Sequence, residues 1–74
     1  MVRVTRVFVH DLDEDKLRRI EEELKANFKV LKTINSGVVP NFKFVEIEGD
    51  VKEEAEKLVA RFDPLDFKVV FVDV

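Results

Sequence analysis

The chain has 74 residues, 13 basic and 16 acidic side chains, one histidine and a formal net charge of −3 at pH 7. That length fits one domain, which buries only roughly 60–65% of the surface its unfolded chain exposes. There is no cysteine and His10 stands alone, so disulfides and thiolate or histidine zinc sites are excluded, and the negative balance argues against a partner held mainly by phosphate contacts.

Val2–Val9 reads as a first strand. Arg3, Thr5, Val7 and Val9 share one face; Val2, Val4, Arg6 and Phe8 share the other. Apolar groups on both faces mark a central strand. Arg3 and Arg6 interrupt the apolar run, so no signal peptide is expected in this stretch. No run approaches the ~20 residues of a membrane span. A soluble, cytoplasmic protein without a membrane contact is therefore expected.

His10-Asp11-Leu12-Asp13-Glu14 leads into a helix. Asp11 with Glu14 fits a capping box, and Asp13 is the rival cap. The helix is predicted to run to about Asn27, with Leu17, Ile20, Leu24 and Phe28 as its buried stripe. Its charged residues read as a solvated face with i,i+4 pairs. Phe28–Asn35 reads as a second strand, with Phe28, Val30, Lys32 and Ile34 opposite Lys29, Leu31 and Thr33. Its lysines suit a sheet edge. Asn35-Ser36-Gly37 signals a turn, and Pro40 ends the connection.

Pro40–Gly49 reads as a third strand, forming a hairpin with the second. Phe42, Phe44, Glu46 and Glu48 lie on one face, and Lys43, Val45 and Ile47 on the other. Without a bulge, the two phenylalanines and the Val45/Ile47 pair cannot enter the same core. One pair needs a second apolar environment. Asp50 with Glu53 is another capping box, and Val51, Ala55, Leu58, Val59 and Phe62 recur at helical spacing until Asp63-Pro64. Phe67–Val74 is the last strand, with Phe67, Val69 and Phe71 opposed to Val70, Val72 and Val74.

The order β-α-β-β-α-β predicts an α+β, ferredoxin-like sandwich. Its four-stranded antiparallel sheet has the order 4-1-3-2, with two helices on one face and the other face open. Two segments of the chain resemble the RNA recognition motif. Val7-Phe8-Val9-His10-Asp11-Leu12 is similar to that family's first-strand hexamer, with Asp11 where asparagine is usual. Pro40-Asn41-Phe42-Lys43-Phe44-Val45-Glu46-Ile47 is similar to its third-strand octamer. There Pro40-Asn41 replaces a basic residue and glycine, and Lys43 replaces a small inward residue. The resemblance implies that Val7, Val9, Val45 and Ile47 pack under the helices. It also implies that Phe8, Phe42 and Phe44 stand on the open face to stack unpaired bases.

Catalytic patterns are missing. No nucleophile sits beside a base, and the phosphate-cradling glycine loop is absent. The acids from Asp11 to Asp15 lack the alternation and central glycine of a calcium loop. His10-Asp11-Leu12-Asp13 is also acidic where the acylphosphatase branch of this topology has a glycine-rich anion loop with arginine. The expectation is a non-enzymatic, cofactor-free domain binding single-stranded RNA weakly. Phe8, Phe42 and Phe44 would stack, and Arg6, Lys32 and Lys43 would supply positive charge nearby. The alternative is a module that buries its open face against a second copy or another protein, as in ACT-like domains. A composition rich in Lys, Glu and Arg suits a heat-stable protein and equally a designed chain without natural function.

Overall fold

The computed structural model describes residues 2–35 and 41–73. The elements are β1 (Arg3–His10), α1 (Glu14–Asn27), β2 (Val30–Asn35), β3 (Phe42–Glu48), α2 (Lys52–Ala60) and β4 (Asp66–Asp73). The strands form one antiparallel sheet in the order β2-β3-β1-β4, which is the expected order read from the other edge. Ser36, Gly37 and Pro40 of the predicted turn, and Val74 at the end of the last strand, lie outside the described residues.

Alternation along the strands places the core. Val7 and Val9 of β1, Val45 and Ile47 of β3 and Val69 of β4 meet Leu17, Ile20 and Leu24 of α1 and Ala55, Leu58 and Val59 of α2. Both helices therefore cover one face of the sheet. Phe28, Val30, Val51, Phe62 and Phe67 pack around this cluster as partly buried neighbours. Val45 and Ile47 are the pair of β3 that enters the core, at 1% and 0% exposure.

Of the two caps read for the first helix the structure takes the second, and the box read for the second helix is absent. Asp13, not Asp11, caps α1; its side chain accepts from the amides of Asp15 (3.0 Å) and Lys16 (3.2 Å). Asp11 is instead buried as a tie between loops. Its carboxylate accepts from the Asp13 amide (2.8 Å), Lys16 Nζ (3.1 Å) and the Leu65 amide (3.1 Å). The Asp50–Glu53 box does not form. Gly49 turns the chain at φ 90°, so α2 begins one residue later, with Val51 at its cap and no side-chain capping bond. Thr5 of β1 serves this end, donating to the Gly49 carbonyl (2.8 Å) and accepting from the Val51 amide (3.0 Å).

β2 also departs from simple alternation. Phe28 is extended at the end of α1, donating its amide to the Leu24 carbonyl (2.9 Å), so the strand starts at Val30 rather than Phe28. Val30 pairs with Ile47 but Lys32 pairs with Glu46, leaving Leu31 as the extra residue of a bulge. The bulge separates Val30, which packs on the core, from Lys32 and Ile34, which sit on the opposite face. The single face predicted for these three residues is corrected accordingly.

Candidate functional site

The sheet face away from the helices is set by the register of its strands. One row runs Ile34–Phe44–Phe8–Lys68 across β2, β3, β1 and β4. The next runs Lys32–Glu46–Arg6–Val70, with Phe42–His10–Asp66 on one side of this pair and Glu48–Val4–Val72 on the other. Phe8 is the hub of an aromatic cluster. Its ring centroid lies 5.0 Å from Phe44 at an interplanar angle of 58°, and 6.3 Å from Phe42 at 41°. All three rings are half-buried. Both separations and tilts lie in the range that aromatic pairs favour. The second apolar environment demanded by Phe42 and Phe44 is this face.

The charged groups divide. Arg6 donates from Nε to Glu46 Oε2 at 3.2 Å, in the middle of the face. Lys32 is exposed on β2 beside Glu46, and Lys68 is exposed on β4 beside Phe8. Lys43 faces the other way. It lies beneath the sheet, where its ammonium pairs with Glu21 of α1. Burial works to raise the Glu21 pKa, but hydrogen bonds from Lys43 and Lys25 outweigh it and hold the carboxyl below its ordinary value. The structure thus brings Phe8, Phe42, Phe44, Arg6 and Lys32 onto one surface and sends Lys43 to the opposite one.

Sequence reasoning missed Ile34, Lys68 and His10 as members of this surface. Ile34 is 43% exposed directly beside Phe44. His10 is the last residue of β1, opposite Phe42, rather than a loop residue. Cross-strand register places all three, and register was not readable from the chain. Asn41, just before β3, adopts φ 67° and accepts the Asp11 amide at 3.1 Å. Asparagine tolerates this left-handed region better than other residues with a Cβ. A shallow groove on the helix side, lined by Asn27, Phe28, Glu54, Lys57, Leu58 and Arg61, has mixed charge.

Among the described residues, no group of three or more His, Cys, Asp or Glu is placed to hold a metal ion. No described helix is long and apolar enough to cross a membrane. No family model matches the chain, and neither a curated protein nor a solved structure does.

Proposed function

We propose that this chain is a non-enzymatic binding domain of ferredoxin-like, RNA-recognition-motif-like build, whose open sheet face takes single-stranded RNA weakly. The observation that carries this reading is the cluster of Phe8, Phe42 and Phe44 on two adjacent central strands, opposite the helices. Aromatic rings on an open sheet stack unpaired bases regardless of sequence. The left-handed Asn41 supports it too, because glycine, the usual octamer residue there, suits the same backbone. Arg6, Lys32 and Lys68 stand close enough to meet a passing backbone, whereas Lys43 is committed to Glu21. The Arg6–Glu46 pair and the net charge of −3 keep the phosphate contribution small, hence weak binding with a shallow salt dependence.

The test is a fluorescence-anisotropy titration of a labelled uridine oligoribonucleotide. Phe42→Ala and Phe44→Ala should each cost about 1–3 kcal/mol for a stacked base, with circular dichroism confirming that the variants fold. Unchanged affinity in both variants removes the site. One observation favours a second reading, burial of this face against another copy: its basic and acidic groups nearly balance, with Arg6 and Glu46 already paired. Light scattering beside the titration separates the two, since a dimer that Phe44→Arg converts to a folded monomer belongs to the second reading.

A further inference from the structure

The two edges of the sheet are built differently. β2 has six residues, is broken by the bulge at Leu31, carries Lys32 and follows Lys29. Short length, bulges and lysines are the devices that stop an edge from recruiting another strand. β4 has eight residues and keeps unbroken register with β1 from Arg3–Asp73 to His10–Asp66. It contains no proline, and Lys68 is its one lysine. Among the described residues it pairs with β1 alone. Between Asp66 and Asp73 it presents Phe67, Val70, Phe71 and Val72, all half-buried. A long, regular, apolar edge is a template for a further strand.

The residues of β4 also indicate which strand fits. Antiparallel pairing about a twofold axis normal to the sheet keeps helix-side residues opposite helix-side residues. With the axis at Val69, Phe67 lies opposite Phe71 of the second copy, Lys68 opposite Val70 and Asp66 opposite Val72. No like charges meet, and the half-buried Phe67 of each copy lies opposite the half-buried Phe71 of the other. Moving the axis to Lys68 sets lysine against lysine. Moving it to Val70 sets Phe67 against Asp73. We infer that two copies of this chain join along β4, with Val69 on the axis, into a continuous eight-stranded sheet carrying four helices on one face. That width lies within the ordinary range for sheets. The inference is independent of RNA binding and leaves both phenylalanine clusters uncovered on the same side.

Sedimentation velocity of the full chain over a wide concentration range tests it. Val70→Lys places a lysine opposite Lys68 twice by symmetry, and Val70→Glu places a carboxylate there. Two such pairs should raise the dimer dissociation constant roughly two- to thirtyfold for V70K and lower it for V70E. Val70 also faces Arg6 of its own chain, so folding is checked by circular dichroism, and Lys68→Glu added to V70K should restore the dimer. A monomer at millimolar concentration overturns the inference. So does a dimer that V70K and V70E weaken alike, or one that Phe44→Arg abolishes and V70K leaves intact.

Discussion

Lys43 reaches its partner from beneath the sheet, with 11% of its side chain exposed against 17% for Glu21. Taking both charges out of water costs about as much as their attraction returns, so breaking the pair and replacing it are different operations. Glu21→Ala leaves an ammonium under α1 with no carboxylate and should destabilise the fold by about 1–3 kcal/mol. Lys43→Met keeps the bulk, removes the charge and leaves Glu21 with Lys25 at 3.0 Å; its stability should stay within about 1 kcal/mol of the parent. Urea denaturation of both variants decides it, and a greater loss in Lys43→Met contradicts the argument. The face that Lys43 takes was legible in its alternation with Val45 and Ile47. Its partner was not, because Glu21 meets it only once α1 has packed on β3.

At the scale of elements, all six were legible from periodicity and turn residues, and what failed was local. The pattern Asp50-x-x-Glu53 has the composition of a cap, yet Gly49 and the packing of Val51 move the start of α2 past it. A hydroxyl from β1 takes over, and no local window contains that relation. Thr5→Val removes the bonds to Gly49 and Val51 while keeping the shape, and should cost about 1–3 kcal/mol. Asp50→Ala should be nearly neutral. Chemical denaturation compares the two, with amide hydrogen exchange at the first turn of α2 as the local readout; Asp50→Ala as the costlier change defeats the assignment. The bulge at Leu31 escaped for a related reason. Alternation fixes faces only while register is continuous, and a bulge is visible only against the partner strand.

Across the whole molecule, two carboxylates hold separate parts together. The Asp13 amide lowers the pKa of Asp11; burial opposes this, while Lys16 and the Leu65 amide add to it. Glu21 is lowered by the two lysines against its own burial. Folded values below the unfolded ones near 4 mean that this stabilisation is complete above about pH 5 and is lost as pH falls through the folded values. Stability should therefore be flat near neutral pH and fall in acid, and Asp11→Asn should be weaker at neutral pH with a shallower acid slope. Urea titrations at several pH values measure this; an identical acid slope in Asp11→Asn removes Asp11 from the account. The central place of β1 has a further consequence during synthesis. It emerges first, yet its neighbours are β3 and β4, and β4 emerges last. At ribosomal speeds of ~5–20 residues per second, β1 waits about 3–11 s for its second partner. Until β3 arrives this strand, apolar on both faces, has no partner, and until β4 arrives it is half-paired, so a holding chaperone has a few seconds in which to act.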